Sequence, residues 1–250
     1  MSLISRVQDA LTSGGMAFQI AMEPRAVPWK GRLQGTATLV GGRTPMRVNQ
    51  VNVGVVEHWE AETRDDNGNV ERRDHYLRHQ QIHTPVGAPF GSGQQQVFPF
   101  DLEVPWGRPF SHEWYVEAQA EMPGAVDCRA QAHFTLLPPE PFRRLSDLLA
   151  EITTIPADYW VCCRQGAAAE HLPKTEALKQ QLDGIRLEME LEGSEIAIQV
   201  VVNPQEHNLG DRLRALVRAD LKKFTLRAPE DNPEAVRESL RQIVEPFLGR

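Results

Sequence analysis

The sequence predicts a mainly β protein built from two β-sandwich halves. The first indication is residues 32–63, where apolar residues recur at every second position on both sides of Gly41-Gly42. The second is a series of alternating segments, separated by turn residues, that continues to Leu137. Alternation with a period of two is typical of strands with one buried face, and several such strands indicate a sandwich. The third is a change to helical periodicity just after Pro138-Pro139.

Residues 32–40 and 46–63 are the two strands predicted most clearly. Leu33, Ala37 and Leu39 share one side of the first strand, and Val51 and Val53 share one side of the second. Because a Gly-Gly pair favours a turn, we expect the two strands to pair as an antiparallel hairpin. The remaining strands would then be added to this pair.

Further strands are predicted on either side of this pair, at residues 16–23, 70–83, 96–105, 112–122 and 127–137. Asn67-Gly68 favours a tight hairpin turn before residues 70–83. That strand has few large apolar residues, so we expect it at an edge of its sheet or facing solvent. Residues 84–96 are rich in glycine and proline and are predicted to form a loop.

Pro138-Pro139 marks the predicted domain boundary, with one half at residues 1–138 and the other at 139–250. In the second half the periodicity predicts a connecting helix at residues 141–152 and a hairpin at 182–203 that turns at Gly193-Ser194. Strands are expected at residues 159–164 and 223–227, and the character of residues 209–218 stays open.

Helices are predicted at both ends of the chain. The first 15 residues suggest a short amphipathic helix that ends at Gly14-Gly15. At the other end, Asp231 and Glu234 have the spacing of a capping box at the start of a C-terminal helix.

The composition indicates a soluble protein of the cytoplasm. The 250 residues carry a formal net charge of −7, which argues against general binding to nucleic acid or to anionic membranes. No apolar run approaches the roughly 20 residues of a membrane span. The N-terminus lacks the apolar core of a secretory signal. Three cysteines, at positions 128, 162 and 163, form no disulfide framework and suit a reducing compartment.

Histidines are the first candidates for chemistry. With a turn centred on Asn67-Gly68, His58 would lie opposite Leu77, with His75 and His79 diagonal to it. Three imidazoles in this arrangement would suit zinc. However, residues four apart on a strand are separated by about 13 Å, so such a site needs His58 in the middle. We expect instead that these histidines are solvated on an exposed face, and we expect no cofactor.

No other cluster declares a reaction. The chain has no phosphate-binding glycine loop, no nucleophile elbow and no HExxH motif. Five tryptophans are spread along the chain and would more often serve packing than sugar stacking. A metal- or carbohydrate-dependent enzyme, or a ligand-binding module on a sandwich, therefore stays the alternative to a protein without catalysis.

A family resemblance gives the function that the patterns leave open. The segments that carry it are spread over most of the chain: Trp29 to Gly35, Gly41-Gly42, Phe98 to Pro105 with Pro109, Trp114 to Glu117, Ala125 to Asp127, residues 141–152 and residues 182–202. Their order and spacing resemble the bacterial sporulation-control proteins of stage zero, type M (SpoOM-like). The resemblance implies an arrestin-like fold and a non-enzymatic role as a regulatory adaptor or scaffold.

A role of this kind needs a surface for a protein partner. The polar strand at residues 70–83 offers one, since an open edge has unpaired backbone donors and acceptors. We therefore predict a protein-binding edge at Tyr76, Leu77 and Arg78. Its partner would be another protein or a second copy of the chain around a two-fold axis.

Overall fold

The computed structural model describes residues 15–64, 70–163, 166–204 and 222–248, and the fold is mainly β, as predicted. The chain divides into two compact units, one of Met1–Trp106 with Ser111–Leu137 and the other of Gly107–Phe110 with Pro138–Arg250. The assignment of residues 1–138 and 139–250 to two arrestin-like domains stays a prediction.

The described part of the first unit contains eight strands in two sheets. The strands are β1 (Ala17–Glu23), β2 (Ala26–Pro28), β3 (Arg32–Val40), β4 (Met46–Arg64), β5 (Val70–Phe90), β6 (Gln95–Glu103), β7 (Glu113–Glu121) and β8 (Cys128–Leu137). One sheet has the order β1-β3-β6 and the other the order β2-β8-β7-β4-β5. Only β2 and β8 run parallel among these pairs.

The predicted hairpin between β3 and β4 is wrong, because the two strands lie in different sheets. β3 pairs with β1 and β6, whereas β4 pairs with β5 and β7. Alternation fixes which side of a strand is buried, but it does not fix which strand lies beside it. The amide of Gly41 donates to the carbonyl of Gln94 at 2.8 Å, so Gly41 lies beside the residue that precedes β6. The chain enters the other sheet only after this glycine pair.

Strand β5 is longer than predicted and lies at the end of its sheet. It continues to Phe90 through residues that we expected to form a loop. Pro85 and Pro89 pair with Gln50 and Arg47 of β4, and edge strands tolerate proline because one side of their backbone needs no donor. Among the described strands β5 has a hydrogen-bonded neighbour on one side only, so the predicted edge position is confirmed.

The β4–β5 hairpin extends beyond the rest of its sheet. The pairing of β7 with β4 stops at His58, whereas β4 and β5 stay paired as far as Arg64 and Val70. We call residues 59–64 and 70–75 the hairpin arm. Within the part of the chain that the structure describes, the two strand segments of the arm form backbone pairs only with each other.

The second unit contains a five-stranded antiparallel sheet and helices. Its strands are β9 (Ala157–Cys162), β10 (Gly166–His171), β11 (Leu182–Glu192), β12 (Glu195–Pro204) and β13 (Lys222–Pro229), in the order β13-β12-β11-β10-β9. The helices are α1 (Glu140–Thr153), α2 (Glu176–Lys179) and α3 (Arg237–Val244), with 3-10 turns at Pro233–Val236 and Glu245–Phe247. The predicted α1 and the β11–β12 hairpin are confirmed.

One prediction for this unit is wrong, and one of its strands was not predicted. The capping box at Asp231 is wrong, because the segment starts as a 3-10 turn after Asn232 with no side-chain cap bond. Strand β10 was not predicted, since its run of small buried residues shows no alternation.

The N-terminal helix and residues 209–218 lie outside the described residues. In the described part of the chain, no helix has the length and apolar character needed to cross a membrane.

Candidate functional site

Strand β5 places the three predicted edge residues beside three residues of β4. Tyr76 faces His58, Leu77 faces Glu57, and Arg78 faces Val56. The side chains of Tyr76 and Leu77 are unusually open for large apolar groups, at 59% and 38% exposure.

The neighbours of these residues hold them in place. The Tyr76 ring stacks on His58, with centroids 4.6 Å apart and planes 11° from parallel. Arg78 forms an ion pair with Glu117 of β7, which is almost completely buried. The edge therefore presents an aromatic ring, an aliphatic side chain and a cation on an ordered strand. That it binds a protein stays a prediction.

The predicted register between the two strands is wrong by one residue. His58 lies opposite Tyr76 and not opposite Leu77. Arg64 pairs with Val70, whereas a turn centred on Asn67-Gly68 would pair Arg64 with Glu71. A shift of one residue moves each side chain to the other face of the sheet relative to its partner.

A row of alternating imidazoles and carboxylates crosses four adjacent strands. His133 of β8 lies 3.3 Å from Glu113 of β7, measured from Nδ1 to Oε1. The other Glu113 oxygen, Oε2, lies 2.7 Å from Nδ1 of His58 on β4. Nε2 of His58 lies 3.0 Å from Oδ1 of Asp74 on β5. We call these four residues the imidazole–carboxylate row.

The carboxylates of this row raise the pKa of His58 above its ordinary value of 6.5. The hydrogen bond to Glu113 contributes most and the bond to Asp74 comes second, against a smaller opposing effect of burial. The charged imidazolium is therefore favoured at this position.

A second polar cluster is centred on the buried Glu57 of β4. The carboxylate of Glu57 is completely shielded from solvent, with Oε2 2.8 Å from Nε2 of His79 and Oε1 2.6 Å from Nδ1 of His112. Trp59 lies between two imidazoles, its ring centroid 5.3 Å from His75 and 5.1 Å from His112. The expectation of solvated histidines is therefore wrong for His79 and for His58, which are both largely covered.

The structure separates the three histidines of the conceivable zinc site. His58 binds carboxylates of the row, His79 binds the buried Glu57, and His75 stacks on Trp59. Within residues 15–64, 70–163, 166–204 and 222–248, no group of three His, Cys, Asp or Glu side chains has the arrangement of a metal site.

Sequence reasoning missed Glu57 as a functional or structural centre, although a signal for it was present. The residue follows Val51, Val53 and Val55 at even spacing, so alternation places its carboxylate on the buried side of β4. An ionisable group at an inward position needs partners. His112 and His133 had no such signal, because they come from other parts of the chain.

Polar groups also fill the face of the sheet that carries the row. Gln50 and Asn52 both donate to Oε1 of Glu121, at 2.8 and 2.7 Å. Burial, followed by the nearby charge of Glu117, raises the pKa of Tyr115 to about 12. This phenol therefore stays protonated throughout the physiological range.

The cysteines and cavities give less indication of a site. In the described part of the chain none of the three cysteines forms a disulfide; Cys128 is buried, and Cys162 and Cys163 are partly exposed. A cavity of about 490 Å³ in the second unit is lined by Cys163, Gly166, Glu188, Met189, Glu190, Ala197, Ile198, Gln199 and Thr225. Another, of about 700 Å³, is bordered by Glu140, Pro141, Arg144, Ser194, Glu195, Pro229, Glu230 and Asp231. Both are open at the surface, and neither gathers aromatic side chains.

The fold and the edge together define a β-sandwich protein with a long, polar edge strand. The chain belongs to the SpoOM protein family, whose model matches residues 4–152. The predicted family resemblance is thereby confirmed.

Comparison with one solved structure supports the same fold. The crystal structure of the Spo0M sporulation control protein of Bacillus subtilis matches with a TM-score of 0.60 and 16% sequence identity, over 94% of this chain and 98% of that chain. A structure described as AvmM, which catalyses macrocyclization in alchivemycin A biosynthesis, matches with a TM-score of 0.34 and 12% identity, over 50% of this chain and 90% of that one.

A cohesin module of a Clostridium perfringens family 33 glycoside hydrolase matches with a TM-score of 0.28 and 8% identity, over 51% of this chain and 99% of that module. A search of the curated proteins found no match.

Proposed function

We propose that the chain is a non-enzymatic regulatory adaptor of the cytoplasm that acts in sporulation control through protein–protein contacts. The observation that carries the proposal is strand β5, 21 residues long and hydrogen-bonded on one side among the described strands. Membership of the SpoOM family supports the regulatory role, since its Bacillus subtilis member is described as a sporulation control protein.

The edge has the features of a surface for strand addition. In this mode the backbone supplies affinity, and side chains at alternate positions supply specificity. Tyr76 and Leu77 are exposed anchors on opposite faces of β5, while Arg72, Arg73 and Asp74 discourage pairing with arbitrary strands. A chosen partner with matching charges would overcome this barrier.

A second copy of the chain has matching charges. Asp74, Tyr76 and Arg78 share one face of β5 because they lie at alternate positions before the bulge in this strand. When two copies are related by a two-fold axis through Tyr76, Asp74 of each copy lies opposite Arg78 of the other. The two Tyr76 rings then lie side by side. Cross-strand ion pairs and aromatic pairs stabilise a sheet by roughly 0.2–1 kcal/mol each. We therefore favour self-association as the first contact to test.

The experiment measures association of purified chain by sedimentation. Leu77→Pro removes one backbone donor of the edge if the Leu77 amide faces outward, and Tyr76→Ala removes the aromatic anchor without changing the backbone. Both variants are expected to weaken association while circular dichroism shows the wild-type strand content. A folded Tyr76→Ala variant that associates as tightly as the wild type would contradict the proposal.

The control is an exposed apolar residue on another edge strand. Val97 lies on β6, at the end of the three-stranded sheet, and is 55% exposed. Val97→Ala should leave association unchanged. Equal losses in Val97→Ala and Tyr76→Ala would indicate unspecific apolar contact and would also count against the edge.

A further inference from the structure

The two hydrogen bonds of the His58 ring depend on how many protons the ring carries. Both ring nitrogens face carboxylate oxygens, Nδ1 at 2.7 Å from Glu113 and Nε2 at 3.0 Å from Asp74. An ionised carboxylate only accepts hydrogen bonds, and a neutral imidazole has a single N–H to donate. Both bonds therefore exist together only while His58 carries two protons.

The surroundings of His58 favour that charged form. Glu113 faces it from β7 and Asp74 from β5, while Tyr76 covers the ring. His133 of β8 shares Glu113, and Tyr115 of β7 packs against the His133 ring.

Glu60 of β4 pairs in register with Asp74 and adds further negative charge. Arg72 of the arm lies 2.8 Å from Glu62 and 3.8 Å from Glu60, and Arg78, on the same face of β5 as Asp74, is paired with Glu117. The groups that face His58 are therefore predominantly acidic.

We propose that His58 is a proton-operated clasp for the binding edge. The protonated ring ties β5 to β7 across β4 and holds Asp74 against the sheet. When the ring loses one proton, the remaining N–H stays with Glu113, the shorter of the two bonds, and Asp74 is released. The biological meaning of the clasp rests on the proposed function of β5.

The clasp predicts how the strength of self-association changes with pH. A released Asp74 carboxylate can share the half-exposed guanidinium of Arg78 of a second copy with Glu117, whereas a clasped one is occupied. Self-association therefore strengthens as the pH rises through the pKa of His58.

The clasp also stabilises the fold itself, and this stabilisation changes with pH in the opposite direction to self-association. The folded-state pKa of His58 is raised above 6.5, so the clasp stabilises the fold fully below that value and is lost as the pH rises through the folded pKa.

The first experiment follows the carbon-bound ring protons of His58 by NMR during a pH titration of the full chain. Its midpoint is expected above 6.5, and Asp74→Asn should shift it downward. Asp101→Asn is the matched control, because Asp101 is an exposed carboxylate that binds Arg32 within the three-stranded sheet, whereas His58 lies in the other sheet. A wild-type midpoint at or below 6.5, or an unchanged midpoint in Asp74→Asn, would overturn the clasp.

The second experiment measures self-association by sedimentation at pH values on both sides of the NMR midpoint. The wild type should associate more tightly above the midpoint, and His58→Gln should show no change across it. Wild-type association that is independent of pH would overturn the clasp and leave the binding edge intact. If Tyr76→Ala associates as the wild type does while the NMR shifts appear as expected, the edge fails and the titration of His58 stands.

Discussion

The carboxylate of Glu57 lies 2.8 Å from Nε2 of His79 although no part of Glu57 reaches solvent. A buried charge of this kind is tolerated only when hydrogen bonds replace its hydration. The second oxygen meets that need with His112, and Trp114 covers the His79 ring at 5.5 Å between centroids. The carboxylate of Glu57 is therefore held in the interior of the first unit by a cluster of imidazoles.

Replacing Glu57 with Gln should destabilise the first unit. The amide offers one acceptor where the carboxylate offers two, so one imidazole loses its partner. An unsatisfied buried polar group costs about 1–3 kcal/mol, which urea denaturation followed by tryptophan fluorescence would measure. Glu60→Gln is the control on the same strand, since Glu60 is exposed and should change the free energy of unfolding by under about 0.5 kcal/mol. Equal stability of the two variants would refute the role given to Glu57.

Gly35 is expected to be intolerant of any side chain. A Cβ atom there would lie 2.2 Å from the carbonyl oxygen of Ala21 and 2.6 Å from Cζ of Phe100. Because backbone has to move, Gly35→Ala should cost about 1–3 kcal/mol in a thermal or chemical denaturation. Gly91→Ala is the matched control in the same unit, where the nearest atoms are 3.8 Å away. The packing argument fails if both variants keep the wild-type midpoint.

His171 should make the second unit sensitive to acid. It is fully buried, its Nδ1 donates to the carbonyl of Ile155 at 2.8 Å, and Nε2 faces the Ser146 hydroxyl at 3.1 Å. Burial lowers the pKa of this imidazole below 6.5. A depressed folded-state pKa means that stability is full above 6.5 and is lost as the pH falls toward the folded value.

The measurement is the slope of unfolding free energy against pH below 6.5, at up to about 1.4 kcal/mol per pH unit for one proton. His171→Gln is expected to be less stable at neutral pH but to have a flatter slope. A variant at His171 with an unchanged slope would show that other groups control the acid response.

The sequence predicted strands better than it predicted their neighbours. Alternation located β3, β4, β7 and the β11–β12 hairpin, because burial of one face dictates residue type directly. The pairing of β3 with β4 was wrong, because a Gly-Gly pair in the sequence is compatible both with a chain that folds back and with one that crosses to another sheet. The register of β4 against β5 depended on the length of one turn, and a single residue moved the partner of His58 from Leu77 to Tyr76.

The candidate site was found only in part for a related reason. Tyr76, Leu77 and Arg78 were identified because an unusually polar strand is visible in the sequence alone. Glu117, the ion-pair partner of Arg78, and Glu113, the partner of the neighbouring His58, come from β7 and became neighbours only through tertiary pairing. Long-range charge clusters of this kind leave no local pattern.

The position of the β4–β5 hairpin within the chain also bears on how the protein reaches its native state. Arg32 of β3 pairs with Glu103 of β6, and the whole hairpin lies between these strands in the chain. Closing a long loop has an entropic cost, and contacts between distant residues slow folding. Once the local hairpin has formed, it shortens the flexible path between β3 and β6. The strand that we propose as a binding edge would thus act earlier as the nucleus that brings the other sheet together.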